Sequence, residues 1–453
     1  MRRLFLGLAV LCVGPTVRPS GAQDTSAIDR GVRIGIVYRP GVRPGMVVLP
    51  VHVAALDSVR TIMSRDLDYS DRFELITLPG GDSIRVTTAP TTRPATGGAA
   101  AATTLNYPLY QALGADFAVG VTPGPGDSAI VTVHDVAAGG VRREVRARLP
   151  AIKDPGFRLV VHQLADRVLE AALGVGGTGA TRILFVMDGK VYAIDQDGAD
   201  QKLVSSSDHQ AMSPAWAGDG RRFSYMEFWQ GHGRLFVQEV ASGKRAPVAT
   251  TGQALDFTPA FSPDGKTLAF SRATEEGTDL YTVNFKDGCC LQRLTVGRFY
   301  DNLSPTYSPD GQRIAFVSTR AGLPQIYVMA ADGTDPQLFA PFDYGATGSS
   351  NAPEWSPDGQ TVAFHRDVGG TLQVFVLDVR TRAVRQLTSV GRNEDPTWAP
   401  DSRHMAFVSD RSGYRQLWII DVETGRIRPL LQKSGARLPA WSPRLPETAS
   451  STP

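Results

Sequence analysis

A chain of 453 residues, 42% apolar and 20% charged, is too long for one small core and too evenly mixed for a disordered or membrane-embedded protein, so two or three soluble domains are expected. Its 47 basic and 45 acidic residues are interspersed. That argues against a nucleic-acid binder, which would gather positive charge on one surface to neutralise phosphates.

Residues 1–22 begin with Arg2 and Arg3, continue with an apolar run from Leu4 to Val13, and end with Ser20 and Ala22 at the small positions of a cleavage site. This pattern predicts a secretory signal peptide. Cys12 does not read as a lipidation site, because Leu11 stands where a small residue is needed. Cleavage removes Arg2, Arg3 and Arg18 and no acid, leaving 44 basic against 45 acidic residues. Cys289 and Cys290 would then be the remaining cysteines; neighbours close only a small strained ring, so two partly buried thiols on a strand are expected.

Residues 23–31 form a polar leader that runs into alternation, with Val32, Ile34 and Ile36 on one face. Such a segment can add as a strand to a partner's sheet edge. Residues 32–176 read as a small α/β domain. Strand-like runs "VRIGIVY" and "MVVLPV" precede a helix around "LDSVRTIMSRDL", then come "RFELITL", a short helix near "YPLYQALG", and strands "DFAVGV", "AIVTVHDV" and "VRREVRARL". A last helix carries Phe157, Val160, Val161, Leu164 and Val168 at helical spacing. Residues 87–104 are too poor in large apolar side chains to fold and read as a flexible loop.

Residues 181–445 are repetitive. A proline followed two places later by an aromatic recurs at Pro214, Pro259, Pro305, Pro353, Pro396 and Pro439, at spacings of 45, 46, 48, 43 and 43 residues. Periods of this length built from short β-type runs predict propeller blades of four strands each. The recurrent "SPDG" is turn chemistry: proline sets its own φ, aspartate bonds backbone N–H groups, and glycine accepts positive φ. The aromatics Trp216, Phe261, Tyr307, Trp355, Trp398 and Trp441 are expected between blades rather than around a ligand. The last copy, "LPAWSPRL", has only the polar tail 446–453 after it, whereas "TRILFVMDGKVYAIDQDGADQKLV" offers three strands without an inner one. The expected fold is therefore an α/β domain followed by an all-β six-bladed propeller, its ring closed by the C-terminal strand.

No G-x-S-x-G or H-E-x-x-H occurs, so neither a serine-hydrolase elbow nor a zincin site is expected. His162 and Asp166 share a helix face and read as a polar flank; "DQDGAD" at 195–200 shares part of a calcium loop's spacing but sits where each blade has a turn. No catalytic residue, cofactor or metal is expected. The loops joining fourth to inner strands share one rim with the second-to-third hairpins, and this rim carries Phe228, Trp229, His232, Phe299, Tyr300, Asp301, Asn302, Tyr344, Asn351, Arg392, Asn393 and Glu394. Aromatics and arginine beside small polar residues suit a protein interface, and Asn302, Asn351 and Glu394 are expected at the channel mouth.

The order of signal peptide, α/β domain with "SRDLDYSDRFELI", "LGADFAVGV" and "HQLADRVLEAALG", the join "TRILFV", S-P-D-G blades and a terminal "LPAWSPRL" resembles the TolB family of the Gram-negative Tol-Pal envelope system. The resemblance runs over about residues 30–445. Departures are the long loop, Ala217-Gly218 in place of Ser-Pro, and Ser402 in place of glycine. The resemblance implies a non-enzymatic, monomeric periplasmic adaptor without cofactor. It would bind the peptidoglycan-associated lipoprotein Pal through Phe299, Tyr300, Asp301, Asn302, Asn351, Arg392, Asn393 and Glu394. It would bind the inner-membrane-anchored protein TolA through Asp24, Ile28, Asp29, Arg30 and Val32. The implied roles are outer-membrane integrity, constriction at division, and in some bacteria colicin import. The alternatives are a secreted hydrolase or lyase using the channel, or a ligand-binding propeller outside that system.

Overall fold

Alternating apolar residues in the first half place five strands in one sheet. These are β1 (Gly45–Val48), β2 (Glu74–Leu75), β3 (Phe117–Pro123), β4 (Ser128–Asp135) and β5 (Gly140–Arg148), in the order β2-β1-β3-β4-β5. The computed structural model describes residues 43–51, 53–78, 105–206, 208–229, 232–250, 254–341, 348–433 and 435–446, which belong to one compact unit. The signal peptide, the leader 23–31, the run at 32–38 and the loop 87–104 lie outside the described residues, as does all but the first residue of the tail 446–453.

Strands β1, β2 and β3 pair in parallel and β3, β4 and β5 form an antiparallel meander. Helices α1 (Asp57–Tyr69) and α3 (Phe157–Leu173) cover one face. Phe157, Val160, Val161, Leu164 and Val168 of α3 are buried against Val59, Met63, Phe117, Val119 and Val131, as their spacing predicts. The short helix α2 (Tyr107–Ala112), capped by the Asn106 side chain, seals the other face with Tyr110 over Val47 and Ala118.

The propeller has six four-stranded sheets. The first blade comprises Ala211–Trp216, Arg222–Trp229, His232–Glu239 and Arg245–Pro247. The second comprises Leu255–Phe261, Thr267–Thr274, Gly277–Asn284 and Gln292–Arg293. The third comprises Asn302–Tyr307, Arg313–Ser318, Gln325–Ala330 and Gln337–Leu338. The fourth comprises Ser350–Trp355, Thr361–Val368, Thr371–Asp378 and Val384–Gln386. The fifth comprises Asn393–Trp398, His404–Ser409, Gln416–Asp421 and Ile427–Leu431. The sixth takes its inner strand, Arg437–Trp441, from the end of the chain and pairs it with Arg182–Met187, which continues to Lys190–Asp195 and Lys202–Leu203. This is the ring closure expected from the terminal repeat.

Each repeat aromatic packs against the preceding blade: Trp355 meets Val317 and Ile326, Trp398 meets Val374 and Val376, and Trp441 meets Ala406 and Val408. In the S-P-D-G turns, Ser262 Oγ accepts the Thr267 N–H and donates to Asp264, whose carboxylate accepts the Lys266 N–H; Gly265 takes φ +64°. Ser402 adopts φ +56° in the glycine position of the fifth copy, so the turn survives the substitution. One regularity has no counterpart in the sequence reading. The residue before each inner-strand proline, namely Ser213, Thr258, Ser304, Ala352, Asp395 or Leu438, is left-handed with φ between +46° and +54°. The pairing shifts register there in every blade.

Candidate functional site

The rim formed by outer-to-inner loops and second-to-third hairpins is stiffened by a ladder of arginines. Arg272, Arg320, Arg366 and Arg411 each lie over an aromatic pair, Phe270/Tyr281, Phe316/Tyr327, Phe364/Phe375 and Phe407/Trp418. Each guanidinium also donates to the residue three places before the inner-strand proline of its own blade: Asp256 at 2.7 Å, Asn302 at 3.2 Å, Ser350 at 2.9 Å and Asn393 at 3.0 Å. Sequence reasoning missed this set. A polar residue at that place followed 16 or 18 residues later by arginine was the available signal.

This network corrects the reading of two rim residues. Asn302 and Asn393 are fully buried. The Asn302 amide donates to Asp279 and its oxygen accepts from Ser318, while the Asn393 amide donates to Gln373. They hold the loops in place rather than facing solvent, joining acceptors that Thr295 and the Gly297 N–H, or Thr388, also serve. Asp301 likewise accepts the Thr278 N–H. What the loops present is Phe299, 97% exposed, with Val296 and Val390 on the same kind of loop and Leu323, Val368 and Tyr414 on the hairpins. Tyr300 stacks under Arg320, and Glu394 sits between Arg392 at 3.1 Å and Arg415 at 3.4 Å. Asn351 and His232 are half-buried and Phe228 is exposed; Tyr344 and the Trp229 side chain lie outside the described residues.

Inside the ring the inner strands are joined by side chains. Glu354 accepts from Thr397 Oγ1 and the Trp398 N–H at 3.1 and 3.0 Å, and Thr397 accepts the Trp441 N–H at 3.0 Å. Burial pushes the Glu354 carboxyl up to about 7. Asp395 is raised to about 6 by burial and by Glu394, and burial lowers His365 to about 4, so this imidazole is neutral at pH 7 and accepts the Asp395 N–H at 3.1 Å.

The opposite rim, built from the S-P-D-G turns and the third-to-outer turns, carries the α/β domain on its fifth and sixth blades. Two buried histidines centre this joint. His162 of α3 meets Asp66 of α1 at 2.6 Å and Asp195 of the sixth blade at 3.6 Å. Arg158 and Arg182 bind Asp195 at 3.0 Å each, and Arg158 and Arg65 bind Asp197. Gln196 bridges Asp66 and Arg428, and Arg428 lies on the Tyr69 ring. His404 of the fifth blade meets Asp401 at 2.7 Å and Asp71 at 3.3 Å, while Arg426 reaches Asp71 at 2.6 Å and Arg403 clasps Asp421. Burial alone would lower both imidazoles, but the facing carboxylates prevail and push His162 up to about 10 and His404 up to about 9. The His162–Asp166 pair is thus no polar flank: His162 is buried, and the half-buried Asp166 accepts the Gly179 and Ala180 N–H groups at the join. The ligand atoms of Asp66, His162 and Asp197, and of Asp71, His404 and Asp421, lie close enough for a cation. Their carboxylates already face guanidinium or imidazolium groups, which marks them as ion-pair networks.

Tol-Pal system protein TolB of Bordetella pertussis is 32% identical over 183 residues, 40% of this chain and 41% of that relative, so the match spans well under two thirds of the relative's length. The crystal structure of TolB from Acinetobacter baumannii is similar with TM-score 0.73 at 22% identity, over 89% of this chain and 98% of that one. Hydrazine synthase of Kuenenia stuttgartiensis shares the fold at TM-score 0.50 and 15% identity, over 59% of this chain and 48% of that one. The family described as TolB beta propeller domain matches residues 170–342 and 344–448, more than half of the chain, and the chain belongs to that family.

Proposed function

We propose that this protein is a non-enzymatic periplasmic adaptor of a Tol-Pal system, which binds a Pal-like lipoprotein on the free rim and a TolA-like inner-membrane-anchored protein through residues 23–31 with Val32. The observation that carries the reading is the asymmetry of the propeller. One rim is occupied by the α/β domain, whereas the other combines exposed Phe299, Val296, Val390 and Tyr414 with an arginine-braced frame around the channel mouth. Exposed apolar side chains on a rigid polar frame suit a protein partner, whose contact must exclude water. On this reading Phe299, Tyr300, Asn351, Arg392 and Glu394 touch the lipoprotein, and Asp301, Asn302 and Asn393 position them. The Glu354 carboxyl is committed to two interblade hydrogen bonds, which supports a structural role in the channel. Roles in envelope integrity, constriction and import follow from the two bindings.

The test is affinity capture from detergent-solubilised envelopes, followed by calorimetry with the purified Pal-like protein. Capture of that lipoprotein by the native chain and its loss on Phe299→Asp, with the propeller still folded, is the expected result. Capture that survives Phe299→Asp but is lost on changes at the S-P-D-G rim would overturn the assignment of the face. Leakiness and detergent sensitivity of a deletion strain are expected, and a normal envelope would remove the adaptor reading.

A further inference from the structure

The turn between the third and outer strands of the second blade holds Cys289 and Cys290, and both are exposed. The expectation of partly buried thiols on a strand is therefore corrected: the strand ends at Asn284, where "KDG" turns the chain. The turn is firmly pinned. The Asn284 N–H donates to the Cys289 carbonyl, the Gly288 N–H donates to the Asn284 carbonyl, and the Asp287 carboxylate accepts the Cys289 N–H at 2.9 Å. Cys290 is held left-handed at φ +63°, and this brings the two sulfurs to 2.7 Å from each other. The α/β domain rests on other blades, so this dithiol stays open to solvent.

We propose that Cys289 and Cys290 form a redox-labile dithiol that closes to a vicinal disulfide by exchange with an oxidised thiol–disulfide oxidoreductase or a low-molecular-weight disulfide. Cys290 thiolate attacks one sulfur of the oxidant; the oxidant's S–S bond breaks, and its leaving sulfur takes the electron pair and a proton. Cys289, deprotonated in turn, attacks the Cys290 sulfur of the mixed disulfide and expels the oxidant's second thiol. Two protein thiols are oxidised by two electrons, one disulfide is reduced to two thiols, and both protons end on the oxidant. The Cys290 sulfur and the Asp287 carboxylate raise the Cys289 thiol, which suits it to the second, intramolecular attack. The product spans Cα atoms about 3.8 Å apart across a trans peptide, below the roughly 4.4 Å floor of ordinary disulfides, so it is strained and readily reduced. The site would therefore follow the surrounding redox poise instead of stapling the fold.

Exposure of the full folded chain to oxidised glutathione, alkylation of the remaining thiols and mass analysis of the tryptic peptide Asp287–Arg293 decide the matter. That peptide separates the pair from Cys12. The expected result is a peptide that has lost two hydrogens, carries no alkyl group and no glutathione, and returns to the dithiol form on mild reduction. Cys289→Ser and Cys290→Ser are each expected to retain one glutathione. A native peptide that stays doubly alkylated, retains glutathione, or links to a second chain overturns the proposal.

Discussion

On the rim that carries the α/β domain, charge is taken out of water. His162, His404, Asp66, Asp71, Asp195 and Arg403 are all buried there, and each side chain bridges elements remote in sequence. On the free rim buried charge stays within a blade, as in Arg272 with Asp256: the arginines stack on rings and brace loops, and the exposed surface includes Phe299, Val296, Val390 and Tyr414. The same blade repeat supplies both rims, so the difference comes from what occupies them. A permanent neighbour within the chain can be held by desolvated ion pairs, whose geometry is fixed at folding. A partner that must come and go is better met by an apolar surface that needs no buried charge in the free state.

The comparison breaks most visibly if the joint loses a charge. Asp195→Asn leaves Arg158, Arg182 and His162 facing a neutral amide, and a loss of roughly 3–5 kcal/mol is expected at the joint. All six tryptophans lie in the propeller and the described helices lie in the α/β domain. Urea unfolding followed by circular dichroism should therefore shift to lower urea while tryptophan fluorescence moves less, and lipoprotein binding should be retained. Coincident shifts in both signals would mean that the two domains unfold as one.

Raising the pH should weaken the same joint without a mutation. His404 is raised in the fold from its ordinary 6.5 to about 9, so its contribution is complete below pH 6.5 and disappears as pH climbs through 9; His162 follows toward about 10. A loss of about 3 kcal/mol from His404 alone is expected across that window. His404→Gln should be less stable at pH 6 and show a flatter profile between pH 7 and 9. An identical slope in the variant would remove His404 from the joint's energetics.

On the free rim the effects should fall on binding alone. Phe299→Ala is expected to leave stability within about 0.5 kcal/mol, while affinity for the Pal-like lipoprotein drops by about 1–2 kcal/mol, roughly tenfold. Calorimetry and a thermal melt on one sample separate the two effects. The smallest change belongs to Glu394→Gln. Its pairs with Arg392 and Arg415 are half-exposed, so less than about 1 kcal/mol of stability is at stake, and salt should diminish the effect.

What the sequence made legible was whatever repeats or is local. The blade period, the S-P-D-G turns, the interblade aromatics and the apolar face of α3 depend on neighbours within one strand or helix, and they appear as predicted. The joint was not legible, because Asp71 and His404 are separated by 333 residues and nothing local distinguishes a histidine destined for an ion pair from one on a polar face. The rim was legible as a location but not as a division of labour. Asn302 and Phe299 stand three residues apart in one loop, yet one is wholly buried and the other almost wholly exposed. Only the position of Asp279 on another strand and of Arg320 in a hairpin decides which is which.

The pairing of Arg437–Trp441 with Arg182–Met187 also governs when the molecule can become itself. The contact spans more than two hundred residues, so its loop-closure entropy is met last, and a topology of such high contact order forms slowly. Until the final strand arrives, the sixth blade offers an open edge at Arg182–Met187, able to accept a strand from another nascent chain. The sixth blade also bears Asp195 and Arg182, which the histidine of α3 requires for its setting. The α/β domain, though made first, meets the other half of its seat, His404 and Arg426 of the fifth blade, only after most of the propeller has been synthesised.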